Sequence, residues 1–239
     1  MTTIIGLETS YKGAPAIVLA SDMTGTGTDL DDNGDVIVKR RVQAPYKKLY
    51  SAHDGKSVMG IAGIYDPLAQ ELVKEFVKGN LDLQAITSKG FFPEMEKIHL
   101  KRAGGRFLRQ EDANSILIAC LNQKDTPILY TCFPLGLVER REGTAIGSGA
   151  DYALNFINQE ILRDRGPIDM VSERSLPLLD GMNLSRRAIR HAAKDIYTKG
   201  LDLVVLTPEG VKEYGERIRT AIDTAEEKEM GLIRAELEN

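Results

Sequence analysis

The hydrophobic period of this chain changes from two residues to about 3.6 and back again, and that alternation restricts the fold more than any other feature. Residues 3–8 (TIIGLE) and 15–21 (PAIVLAS) are apolar runs of strand length joined by the turn-rich TSYKGA. Further strands are expected at DVIVKRRV, KKLYSAH and KSVMGIAG, with the polar, glycine-rich TGTGTDLDDNGD between them read as a loop. From Asp66 the period lengthens. Leu68, Leu72, Val73, Phe76 and Val77 recur at helical spacing behind Asp66 and Pro67, a suitable N-cap and first-turn pair. A second helical stretch runs from about Leu83 to Arg102, with Phe91, Phe92, Met95 and Ile98 on its apolar side and Pro93 marking a kink or break.

Strands return at SILIACLN and TPILYTCFP, and LGLVERREGTAIGSG leads into a helix from about Ala150 to Arg163. Ser185 is the expected cap of a helix ending near Thr198, and LDLVVLTP closes the series as a strand. Strands, two helices, strands, two helices and a final strand make an α+β order that suits two sheets between helix layers. A single domain over residues 1–239 is expected, with 210–239 as a charged, helical C-terminal extension. The sparse apolar positions of that extension (Val211, Tyr214, Ile218, Ile222, Met230 and Ile233) fit either packing on its own domain or contact with another subunit.

At 239 residues the chain can bury a sizeable core. Its net charge of -4 argues against a protein built to grip nucleic acid. No apolar run approaches the roughly 18 residues of a membrane helix, and the N-terminus lacks the pattern of a signal peptide, so a cytoplasmic protein is expected. Cys120 and Cys132 lie in apolar strand-like segments and read as buried thiols. His53, His99 and His191 are far apart and show no HxxxH or HExxH spacing, so no metal site is expected.

The chain opens MTTIIGLETS. Once methionine is removed, Thr2 would carry a hydroxyl and a free α-amine on neighbouring atoms, a nucleophile and a base together. Behind it come IVLASDMTGT, KKLY, MGIAGIYDPLAQEL, AIGSGADYA and LSRRAIRHAAKDIYTKG, in that order. This series resembles the proteasome β-subunits and their HslV-type relatives among the N-terminal nucleophile hydrolases, over about residues 2 to 210. The resemblance implies a four-layer α-β-β-α sandwich of two antiparallel sheets between helix layers. It also implies a threonine endopeptidase that needs no cofactor, assembled with sister subunits in stacked rings. Proteasome α-type subunits and an AAA+ unfoldase ATPase would be its partners, and unfolded polypeptide its substrate.

The roles implied by the resemblance fall on particular residues. Thr2 would be the nucleophile, and its α-amine, a group that ordinarily titrates near about pH 8, would relay the proton. Asp22 would partner Lys48, whose charge lowers the proton affinity of the neighbouring hydroxyl and amine. Lys47 should face the other way, because strand side chains alternate. Gly63 would offer its backbone N–H to the oxyanion. Ser148, Asp195 and Thr198 would support the amine, Thr198 standing where the family usually has serine. Ala20, Thr24 and Ile61 are expected near the pocket for the residue preceding the cut.

Two stretches depart from the family pattern: the hairpin before Asp22 is longer, and so is the segment 24–43. Asp29, Asp31, Asn33 and Gly34 match the first half of a calcium loop, but Arg40 stands where its glutamate belongs, so an extended hairpin is the expectation. The same active residues would also serve an amidase or transpeptidase with a small substrate, and the fold alone would serve a non-catalytic ring subunit.

Overall fold

The computed structural model describes residues 3–23, 25–30, 36–42, 47–63, 67–83, 86, 115–132, 138–165, 176–192 and 201–214. Strands β1 (Ile4–Tyr11) and β2 (Ala14–Asp22) form an antiparallel hairpin with Tyr11 opposite Ala14 and Ile4 opposite Ser21. The connection is shorter than the six residues expected. Lys12 and Gly13 have φ of 52° and 81°, the paired left-handed conformations of a two-residue type I′ turn, so Thr9, Ser10 and Tyr11 join the ladder.

This hairpin is the centre of one six-stranded sheet among the described residues. On one side of it β2 pairs with β12 (Leu201–Thr207), which pairs with β13 (Gly210–Glu213). On the other side β1 pairs with β10 (Gly143–Ile146) and, further along, with the short parallel β11 (Leu176–Pro177). A second, five-stranded antiparallel sheet runs in chain order through β5 (Leu49–Ser51), β6 (Ser57–Ala62), β7 (Ser115–Leu121), β8 (Pro127–Cys132) and β9 (Val138–Arg140). β3 (Gly25–Leu30) and β4 (Val36–Val42) pair with each other as a separate hairpin.

Strand alternation distributes the apolar side chains among three layers. Along β1 and β2, Ile4, Ile17 and Leu19 meet Leu49, Val58, Leu117 and Leu129 between the two sheets. Ile5, Leu7, Val18 and Ala20 point the opposite way, onto helices α2 (Ala150–Arg165) and α3 (Leu178–Ala192). The outer face of the second sheet, with Met59, Ile116 and Ile118, is covered by Leu72, Val73 and Phe76 of α1 (Pro67–Val77). The order is helices, sheet, sheet, helix, the α+β sandwich expected from the sequence.

Four local expectations differ from the structure. The GTGTDL part of the stretch read as a loop forms β3, one arm of the extended hairpin expected for this segment, because β4 supplies the hydrogen-bonding partner that a polar, glycine-rich strand needs. The strand expected across KKLYSAH is reduced to Leu49–Ser51. Helix α3 begins at Leu178 rather than Ser185, which lies mid-helix and fully buried. Gly181, a loop residue by its sequence, is inside α3 because any Cβ there would run into Thr9 Cγ2; the glycine lets the helix lie close on β1. The expected C-terminal helix does not start at Gly210, since residues 210–213 complete a hairpin with β12 through a turn in which Gly210 has φ 114°. Asp66, most of the expected 83–102 helix, the remainder of the calcium-like loop and residues 215–239 lie outside the described residues.

Cys120 and Cys132 are buried free thiols in the layer beneath α1. Burial pushes their pKa values up to about 11 and about 12, and the neighbouring Cys120 adds to the effect at Cys132. A raised thiol pKa means the folded protein keeps protons that the unfolded chain releases, so stability must fall as pH rises. Between about pH 9 and 11 the slope should be steeper than in Cys120→Ala/Cys132→Ala, by up to ~1.4 kcal/mol per pH unit for each thiol. Denaturant unfolding across that range is the check; identical slopes would contradict the burial of these groups.

Candidate active site

Asp22 is the last residue of β2, opposite Leu201. Continuing the β1–β2 ladder one step brings Thr3 opposite it, and the two residues are joined twice. The Asp22 N–H donates to the Thr3 carbonyl at 3.2 Å, and the Thr3 N–H donates to Asp22 Oδ1 at 2.7 Å. The other carboxylate oxygen receives Lys48 Nζ at 2.8 Å, with side-chain exposures of only 4% for Asp22 and 9% for Lys48. Lys48 immediately precedes β5 of the second sheet, and its carbonyl accepts a hydrogen bond from the Ile61 N–H of β6 at 3.2 Å. The ion pair therefore ties the two sheets together at one rim of their shared apolar layer.

Burial lowers the pKa of Lys48, opposed by the charge of Asp22 and by their hydrogen bond. An ammonium held this way gives up its proton more readily than an ordinary lysine. Lys47 behaves differently. It is half exposed and lies 3.4 Å from Glu213 Oε1 on β13. The carboxyl of Glu213 is held below its usual range first by the Ser51 hydroxyl and then by Lys47. The sequence-based choice of Lys48 over Lys47 as the inward residue agrees with the two side chains' surroundings.

Ser148 occupies the turn between β10 and α2 and is exposed. The two glycines that flank it have different causes. Gly147 has φ 95°, a left-handed turn conformation, and its carbonyl accepts from the Ala150 N–H at 3.1 Å. Gly149 is needed for space: a Cβ there would overlap Thr3 Oγ1, with Ala192 Cβ and Thr3 Cβ each at 3.4 Å. The pairing of Ile4 with Ile146 brings these elements together. Gly63 follows the end of β6, two residues beyond the Ile61 bonded to Lys48, and is exposed with φ 141°.

Asp22 and Lys48 are thus in direct contact, while Ser148 and Gly63 lie in loops anchored to Thr3 and Lys48. Thr2, Asp195 and Thr198 lie outside the described residues. Ala192 of α3 lies beside Gly149, and β12 begins at Leu201 opposite Asp22. Thr24 is also outside the described residues, and Ile61 is buried against the α1 layer. Ala20 does not belong near a substrate pocket. It is fully enclosed on the helix-facing side of β2, because it shares the parity of Val18.

Sequence reasoning passed over Thr3. Its signal was the second threonine of TTIIG read together with the glycine after Ser148, a β-branched residue and a vacancy of matching size.

The sequence profile of the proteasome subunit family matches residues 2–206. The chain belongs to that family. Proteasome subunit beta 1 of Nitrosopumilus maritimus (strain SCM1) is 33% identical over 97 residues. The aligned stretch covers 40% of this chain and 43% of that relative's length. The matched region of this member of the proteasome subunit family holds the buried acid–lysine pair and all of the described sheet sandwich except Thr207 and β13.

Removing one partner of a buried pair leaves a charge with no compensation, at a cost of about 3–5 kcal/mol, whereas removing both is far milder. Lys48→Met should therefore lose about that much stability in denaturant unfolding, and Asp22→Asn/Lys48→Met should regain most of it. Additive single and double losses would show that the two groups do not interact.

Proposed function

We propose that this chain is a threonine-type endopeptidase subunit that degrades unfolded polypeptides within a ring-shaped, self-compartmentalised protease. The observation that carries this reading is the anchoring of Thr3. Its N–H is bonded to Asp22 at 2.7 Å, so residue 2 is one peptide bond away from a buried carboxylate–ammonium pair. Membership of the proteasome subunit family supports the same conclusion.

In this mechanism the hydroxyl of Thr2 passes its proton to its own α-amine as Oγ bonds to the scissile carbonyl carbon. Lys48 favours the step by lowering the proton affinity of Oγ, and Asp22 keeps Lys48 in place. The carbonyl oxygen, now negative, accepts a hydrogen bond from the Gly63 N–H. The C–N bond then breaks and the departing amine takes the proton, leaving an ester on Thr2. Water attacks that ester with the α-amine as base, releasing the acid and restoring Thr2. Ser148, Asp195 and Thr198 orient the amine.

Sister subunits in stacked rings, proteasome α-type subunits and an AAA+ unfoldase in the cytoplasm complete the proposal, since a compartment with its active sites inside needs a device that feeds it unfolded chains.

Thr2→Ala should abolish hydrolysis of fluorogenic peptides while the circular dichroism spectrum and assembly size stay unchanged. Lys48→Ala should lower kcat by at least about 100-fold, and Lys47→Ala, at an exposed pair, should change it less than about twofold. Undiminished turnover by Thr2→Ala would remove Thr2 as the nucleophile. Reversed severity at Lys47 and Lys48 would remove Lys48 from the reaction.

A further inference from the structure

We infer that Thr3 is a positioning residue, whose side chain, seated on Gly149, sets the distance between the head of β1 and the Ser148 turn. The inference deepens the proposed peptidase reading and rests on it. Thr3 is 4% exposed, although it is polar and lies outside the regular strand. Its backbone is held on one side by the two hydrogen bonds to Asp22. On the other side Oγ1 occupies the volume where a residue at 149 would carry its Cβ, and Ala192 at the end of α3 borders the same space.

One residue thus touches two chain segments of the proposed site, β2 through Asp22 and the Ser148 turn through Gly149, and Ala192 of α3 borders the space above Gly149. The peptide group linking residues 2 and 3 inherits this placement. How deeply Thr3 sits on Gly149 therefore sets where the chain ahead of β1 must attach.

Gly149 carries no left-handed φ, so alanine is acceptable to its backbone and the obstacle is steric. If Thr3 is shortened to alanine, the nearest remaining neighbours of a Cβ at 149 are Thr3 Cβ and Ala192 Cβ, both at 3.4 Å, the near edge of ordinary contact. Gly149→Ala and Thr3→Ala should therefore be complementary in volume. A displacement of about 1 Å at a reacting group can cost roughly 100-fold in rate.

The test is a double-mutant cycle on the assembled protein, read in two ways: kcat and KM for a fluorogenic peptide, and the denaturation midpoint. Gly149→Ala should lower kcat by about 10- to 100-fold with KM within about twofold. Thr3→Ala/Gly149→Ala should return kcat to within about threefold of Thr3→Ala alone, and Thr3→Ser, which keeps Oγ1, should stay near wild type. Non-additivity in the denaturation midpoint reports the contact independently of activity. Non-additive midpoints with an unchanged kcat in Gly149→Ala would make the contact purely structural and overturn the inference. Additive behaviour in both readouts would overturn it too. Activity that survives in Thr2→Ala would sink the peptidase mechanism while leaving the midpoint cycle to judge the contact.

Discussion

Placing a lysine and an aspartate where water barely reaches them is costly, and the cost is met only when both groups arrive with good geometry and further hydrogen bonds. In this molecule that requirement links elements far apart in sequence. Asp22 needs β2 to end at the rim of the first sheet, and Lys48 needs β5 to begin at the rim of the second. Their 2.8 Å contact then requires the two sheets to stack in one register. The apolar layer between them, with Ile4, Leu19, Leu49 and Leu117 fully enclosed, supplies the energy for that stacking, about 1.5–3 kcal/mol for each such side chain. A buried ion pair is weak evidence of stability but good evidence of a fixed geometry, because a misaligned sandwich would leave both charges without partners.

Around this pair the backbone is fixed by small features with separate physical causes. The Asp22 carboxylate accepts the Thr3 N–H and thereby holds the head of β1. Gly147 turns the chain, and Gly149 leaves room for Thr3. The Ile61 N–H on the Lys48 carbonyl ties the strand end that leads to Gly63 into the same frame. None of these devices contributes much energy alone. Together they bring polar groups from both sheets and from the α2 turn to one end of the sandwich, while most of the apolar surface is used elsewhere.

Much of this was legible in the sequence because periodicity and order carry it. The long apolar strands and α2 announce themselves, and the pairing of Asp22 with Lys48 rather than Lys47 follows from an ordered series of motifs. What was not legible depends on contacts between distant residues. The start of α3 was missed because Gly181 and Asn183 look like loop residues until Thr9 is known to lie against Gly181. The polar glycine–threonine stretch at 25–30 looks like a loop on its own and becomes a strand only as one arm of the extended hairpin, where β4 is its partner. Ala20 was misplaced because an alternating strand exposes one parity to the helices, and only the register of β1 and β12 decides which. The turn at Lys12–Gly13 was in principle readable, since lysine–glycine between two apolar runs fits a two-residue hairpin, but the polar residues around it suggested a longer loop.

The central claim is that Thr2 reacts through its own α-amine beside the Asp22–Lys48 pair. A threonine-directed epoxyketone, which needs both the hydroxyl and a free amine, tests it directly when applied to two preparations, one beginning at Thr2 and one retaining Met1. In the second the nitrogen of Thr2 is an amide, whose lone pair is delocalised and cannot accept a proton near neutral pH. Intact-mass spectrometry with peptide mapping should find one adduct per chain, on Thr2, in the first preparation and none in the second. Equal labelling of both, or an adduct confined to another residue, would contradict the account.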